Sequence, residues 1–206
     1  LKVIFEMKKR TAFIGAILSL IQLGKPLLFK TGVVLSTTGL MLTLPEKAQA
    51  ESASNYYQLG RNDFKKGNFY EAISNFNKAL KIKPDFAQVY ISSCGAKINI
   101  GMYSDALKDC DKALSISKSN KSVYIDKATL FANRCGAKLH VGDLYEAIFD
   151  CNKALEVDPR KSLAFYNRSV SKEKIGDIKG ACFDAKKAVE FGLEDENNKI
   201  WIEEKC

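Results

Sequence analysis

The chain has 206 residues, 46% hydrophobic and 27% charged, with a formal net charge of +8. That length holds one domain with an appendage. Seven of the 32 basic residues lie in the first fifty positions against two of the 24 acidic ones; the remainder carries only +3, too little to indicate nucleic-acid binding.

Residues 1–50 read as an export segment. Lys8, Lys9 and Arg10 precede an apolar run from Ala12 to Leu23. Lys25-Pro26 and Lys30 interrupt it, and a second run follows from Val33 to Leu44, ending in Pro45-Glu46-Lys47 and Ala48-Gln49-Ala50. A basic stretch, an apolar core and Ala-x-Ala before an acidic residue form a bacterial-type signal, with cleavage expected after Ala50. Met7 followed by Lys-Lys-Arg is the expected start. The alternative is an uncleaved membrane anchor over residues 11–44, although neither run reaches the roughly 18–20 apolar residues of a comfortable span. Either way the expected location is outside the cytoplasm, in the periplasm or an equivalent lumen, with membrane contact only through this segment.

Beyond it one pattern recurs four times: Gly, an Ala five residues on, and a second Ala seven residues later. Its anchors are Gly67/Ala72/Ala79, Gly101/Ala106/Ala113, Gly142/Ala147/Ala154 and Gly176/Ala181/Ala188, spaced by 34, 41 and 34 residues. A period near 34 marks stacked helical hairpins. In the first, Tyr56, Leu59, Gly60 and Phe64 form one stripe of helix A, Gly67 stops it, and Asn68 with Glu71 is expected to make a capping box opening helix B. Asp143 and Glu146 repeat that arrangement. Ala72, Phe76, Ala79 and Leu80 face one side of helix B, and Pro84 ends it.

Four units follow, about 53–86, 87–120, 121–161 and 162–193, with a polar capping helix at 194–206. The 41-residue spacing carries seven extra residues, close to two helical turns. Helix A of the third unit is therefore expected to extend back from Phe131 through Tyr124; a looped insertion at Ser117–Ser122 is the alternative.

These residues resemble the tetratricopeptide repeat, whose small and aromatic positions are matched by Tyr56, Leu59, Gly60, Gly67, Phe69, Ala72, Phe76, Ala79 and Pro84, with Tyr90, Phe131 and Phe165 as the early aromatics of later units. The resemblance covers about Ala53 to Leu193. It implies an all-α fold, a right-handed α-solenoid of four helix-turn-helix repeats closed by the C-terminal helix. Asp63, Lys97, Lys138 and Lys172 depart from it, standing where an aromatic is usual in mid helix A.

The cysteines follow the same phase. Cys94 and Cys110 are 16 apart, as are Cys135 and Cys151, at equivalent positions filled by Gly60 and Phe76 in the first unit and by Ser169 and Ala185 in the fourth. Each pair is symmetric about its turn, at Met102 and Asp143, and Cys182 and Cys206 about Glu194. Residues equidistant from the turn of an antiparallel hairpin sit at one height, as a disulfide requires. An export signal with six cysteines suggests Cys94–Cys110, Cys135–Cys151 and Cys182–Cys206 bridges. Reduced cysteines serving as small interface residues remain the alternative. There is no Cys-x-x-Cys or Cys/His cluster for zinc, and nothing calls for a cofactor.

The resemblance further implies that helix A lines a concave surface for a peptide or helix of a partner protein. By repeat position the candidates are Tyr57, Arg61, Asn133, His140, Tyr166 and Asn167. The family's clamp for a C-terminal carboxylate, Lys and Asn early in the first helix, is absent: Tyr57 and Arg61 stand there, so chaperone tails are not the expected ligand. His140, the single histidine, has no nucleophile, metal or acid-base partner in a recognisable motif. Asp109, Asp150 and Asp184 recur at one helix B position, which suggests a repeated surface or capping interaction. The expected function is a non-enzymatic, exported binding module, or a membrane-tethered assembly factor with the repeats outward.

Overall fold

A computed structural model describes residues 27–28, 34–35 and 46–206. The expected export segment otherwise lies outside the described residues. Within it, β1 (Leu27–Leu28) and β2 (Val34–Leu35) pair antiparallel, with Leu27 opposite Leu35. Among the described residues no helix is long and apolar enough to cross a membrane.

Residues 53–206 form one body, built of consecutive helices. These are α1 (Glu46–Lys65, which also carries the expected cleavage point at Ala50), α2 (Phe69–Ile82), α3 (Ala87–Asn99), α4 (Tyr103–Ser119) and α5 (Lys127–Val141). There follow α6 (Leu144–Val157), α7 (Ser162–Lys174), α8 (Ile178–Glu190) and α9 (Glu196–Lys205). Odd-numbered helices up to α7 are the A helices of the four units, and even-numbered ones are the B helices.

Each A helix ends the same way. At the first turn Gly67 has φ +80°, and the Asn68 amide donates back to the Asp63 carbonyl at 2.9 Å. Nothing lies within 4 Å of a Cβ built on Gly67, so backbone conformation and not space demands glycine there. The amides of Met102, Asp143 and Asp177 close the other three turns onto Lys97, Lys138 and Lys172. The expected capping boxes do not form: neither Asn68 nor Asp143 makes a side-chain cap bond. With the turn fixed by glycine, Glu146 instead pairs with Lys138 at 3.2 Å.

Antiparallel helices meet along fully buried alanines, Ala72, Ala79, Ala106, Ala113, Ala147, Ala154, Ala181 and Ala188. Leu59, expected on the buried stripe, is 51% exposed. One slot per unit is filled by complementary pairs. In the first, the Phe76 ring lies over Gly60, where a Cβ would come within 2.6 Å of it. In the second and third, the same slot holds the Cys94–Cys110 and Cys135–Cys151 disulfides, with Cα–Cα separations of 5.6 and 5.3 Å. In the fourth it holds Ser169 and Ala185, both buried. The Cys182–Cys206 disulfide ties the end of α9 to α8.

The seven extra residues do not lengthen helix A of the third unit back through Tyr124. The B helix α4 has 17 residues against 14 in α2, and the linker 120–126 replaces the four residues 83–86. The one remaining residue starts α5 early relative to Gly142. Two-turn periodicity allowed a continuous helix; Asn120 interrupts it by leaving helical dihedrals (φ −129°, ψ 98°), and its carboxamide oxygen accepts from the Ser122 amide at 3.0 Å. Asp126 then caps α5, accepting from the Thr129 amide at 3.0 Å.

Candidate functional site: the concave groove

The A helices line a groove of about 1040 Å³, and all six sequence candidates border it. Tyr57 is buried at one end, its ring centroid 5.3 Å from Phe86 and 6.1 Å from Phe76. The exposed Arg61 guanidinium lies 5.7 Å above that ring, one turn along α1. At the other end Tyr166 is half-buried, and burial, reinforced by the negative charges of Asp195 and Glu173, raises its phenol above the ordinary value. His140 stacks on Tyr103 of α4, centroids 4.2 Å apart and planes within 6°. Burial first, and then the charge of Lys174, holds its imidazole below the usual 6.5, so it is neutral near pH 7.

Asn133 and Asn167 sit deeper than a ligand-reading residue on an open face. They are 8% and 7% exposed, and each spends an amide N–H on the neighbouring unit. Asn133 Nδ2 donates to the Ile91 carbonyl and Asn167 Nδ2 to the Ala132 carbonyl, both at 3.2 Å. Gly95 and Gly136 make the room, since a Cβ on either would stand 3.2 or 2.9 Å from the incoming nitrogen. These asparagines first of all lock successive A helices together. Neither Oδ1 is a buried orphan, and no donor among the described residues reaches it, so the carbonyl end is what each presents to the groove.

The groove also takes in residues that the sequence reading left aside: Lys65, Gln88, Tyr124 and Leu163. Repeat phase alone marks Lys65 as equivalent to His140. Tyr124 had no such marker, because it belongs to the irregular linker.

Behind the groove, the three recurring aspartates are not surface groups. Asp150 and Asp184 are fully buried, each gripped by an arginine and a lysine of its own A helix. Arg168 Nε and Nη2 reach Asp184 at 2.8 and 2.6 Å, and Lys172 Nζ at 2.8 Å. Asp109 binds Lys97 and the Ser93 hydroxyl, both at 2.6 Å. The first unit has no cation here and places its carboxylate on helix A, the Asn75 amide donating to Asp63 at 2.8 Å. The lysines that depart from the aromatic pattern of helix A are therefore matched by aspartates across the hairpin.

At the far end Trp201 Nε1 donates to Glu173 at 2.7 Å, so this indole packs on the last unit. Among the described residues no cluster of acidic, histidine or cysteine side chains is arranged to hold a metal.

Residues 53–86 match the tetratricopeptide repeat family. The Hsp70-Hsp90 organising protein of Plasmodium falciparum is 31% identical over 77 residues, 37% of this chain and 31% of its own length. The chain spans a third or less of the curated relatives it matches. Among solved structures, Pseudomonas aeruginosa pilF superposes with a TM-score of 0.61 at 20% identity, covering 76% of this chain and 68% of that one. The first TPR of Spaghetti (RPAP3), bound to the HSP90 peptide SRMEEVD, superposes with a TM-score of 0.54 at 20% identity, covering 61% and 94%.

Proposed function

This chain is a tetratricopeptide-repeat protein, and on that premise we propose that it is a non-enzymatic scaffold whose concave groove holds an extended segment of a partner protein. One observation carries the reading: a single groove of about 1040 Å³ runs along the A helices of all four units, with aromatic rings at both ends and amide oxygens between. Such a lining suits a peptide, whose backbone N–H groups seek acceptors while its side chains seek apolar walls. The first TPR of RPAP3, similar in fold, is bound to an HSP90 peptide, which supports this reading. Tyr57 and Arg61 occupy the positions of the carboxylate clamp, which favours an internal segment over a C-terminal tail.

The proposal includes export. The basic-apolar-Ala-x-Ala order of residues 1–50 supports it, as does the pairing of all six cysteines. Intact mass of the protein from its native cell separates a free chain beginning at Glu51 from a tethered one that keeps residues 11–44.

The groove is tested with Arg61→Glu/His140→Ala, because both residues are exposed and neither makes a hydrogen bond between units, His140 meeting the second unit only through its stack on Tyr103. Capture of partner proteins, measured well below the unfolding temperature of the variant, should fall. Equal capture by variant and wild type refutes the groove.

A further inference from the structure

The linker 120–126 shapes a second hollow, of about 880 Å³, that shares Tyr124 and Asp126 with the groove. Tyr124, at 88% exposure, therefore stands on the rim between them. Lys118, Lys121 and Lys127 line the outer hollow, all exposed, and none makes an ion pair among the described residues. The one carboxylate there, Asp126, is already engaged: it accepts from the Thr129 amide and hydroxyl, the latter at 2.6 Å. Three cations thus face one hollow that holds a single carboxylate, and none of them is paired with it. The linker is held in shape by its own bonds, from the Ser122 amide to Asn120 Oδ1 and from the Val123 amide to the Asn120 carbonyl at 3.1 Å. Elsewhere the chain spends its lysines differently: Lys97, Lys138 and Lys172 face aspartates.

We propose that the insertion between the second and third units is a second ligand subsite, which receives acidic side chains of the same partner segment whose other part fills the groove. This rests on the peptide-binding reading above. The segment passes over Tyr124, where the ring offers a flat apolar surface, and its carboxylates meet Lys118, Lys121 and Lys127. Val157, 52% exposed, supplies an apolar floor for their methylene groups. The occupant is accordingly a two-part peptide, apolar and then acidic. Ordinary 34-residue units lack the insertion and hence the second half of this site.

The test uses the full repeat body and two degenerate peptide libraries, one ending in a block of glutamates and the other in a matched block of glutamines. Wild type should retain the glutamate library about tenfold better than the glutamine library, and Lys118→Ala/Lys121→Ala/Lys127→Ala should remove that preference. High salt should remove it as well. The triple variant should keep its retention of the glutamine library, which Arg61→Glu/His140→Ala should lose. An undiminished glutamate preference in the triple variant overturns the subsite and leaves the groove standing. Glutamine-library retention unchanged by Arg61→Glu/His140→Ala overturns the groove reading instead. Retention of neither library by wild type overturns both. Lysine-dependent binding of phosphatidylglycerol vesicles without a glutamate preference assigns the hollow to a membrane surface and overturns the proposal.

Discussion

Arg134 grips Asp150 with two parallel hydrogen bonds, Nε to Oδ2 at 2.7 Å and Nη2 to Oδ1 at 2.6 Å, and the carboxylate they hold is fully buried. Lys138 adds a third contact at 2.9 Å. Two cations on helix A thus converge on one anion of helix B. Removing the anion leaves Arg134 and Lys138 only their longer contacts to the exposed carboxylates of Asp111 and Glu146, at 3.1 and 3.2 Å, whereas removing one cation leaves the buried anion with a close partner.

Asp150→Ala should therefore cost about 3–5 kcal/mol, and Lys138→Met distinctly less. Asp184→Ala should behave like Asp150→Ala. Denaturant midpoints measured at constant slope decide the order; equal losses for Asp150→Ala and Lys138→Met contradict it.

The slot shared by Gly60/Phe76 and Cys94/Cys110 makes a second prediction. Gly60→Ala should destabilise by about 1–3 kcal/mol, because the new methyl meets a ring enclosed on all sides. Phe76→Leu should relieve part of that loss. Gly60→Cys/Phe76→Cys should form a further disulfide, seen as no increase in free thiols under denaturing, non-reducing conditions. Two additional titratable thiols would show that the slots are not equivalent.

Thiol counting on the unmodified protein should find no free cysteine. Reduction should lower stability by about 3 kcal/mol for each helical-hairpin bridge lost. Six thiols in protein isolated from its native compartment would show that the cysteines act as small packing residues alone.

His140 gives a pH dependence of fixed sign. Burial and Lys174 lower its folded value below 6.5, so the unfolded chain binds this proton more readily. Its contribution is complete above the unfolded value of about 6.5 and is lost as pH falls through that value towards the lower folded one. Stability curves between about pH 7.5 and 5.5 should be steeper for wild type than for His140→Asn. Identical slopes would mean that burial and Lys174 do not favour the neutral ring.

Asn167→Ala should cost about 1–2 kcal/mol by freeing the Ala132 carbonyl, and so it cannot serve as a neutral probe of ligand binding. A variant that binds less but melts at the wild-type temperature would return Asn167 to a purely ligand-reading role.

Much of this was legible in the repeat phase. Gly67 and its equivalents announce both the period and the left-handed turn, because only one backbone conformation reverses the chain there. The symmetry that matches Cys94 with Cys110 applies equally to Arg134 with Asp150 and Arg168 with Asp184, also 16 apart, so the buried ion pairs had the same signal. They escaped notice because aspartate on a B helix ordinarily means solvent. The linker was opaque for another reason: seven residues fit two helical turns, and the choice fell to the local competition at Asn120, whose side chain bonds its own backbone. The double duty of Asn133 depended on Gly95, a residue 38 positions away that only packing brings opposite it.

The Gly95–Asn133 and Gly136–Asn167 contacts have a consequence for how such a chain changes length. The slot pairs and the aspartate clamps lie within single units, so they travel with any unit that is copied or deleted. The glycine–asparagine contacts are divided across a boundary, glycine contributed by one unit and asparagine by the next, and the Arg134–Asp111 and Arg168–Asn152 contacts are divided the same way. A unit spliced into the middle of the row therefore has to carry both halves of these joints, so the boundary residues and not the slot pairs limit where the array can be edited.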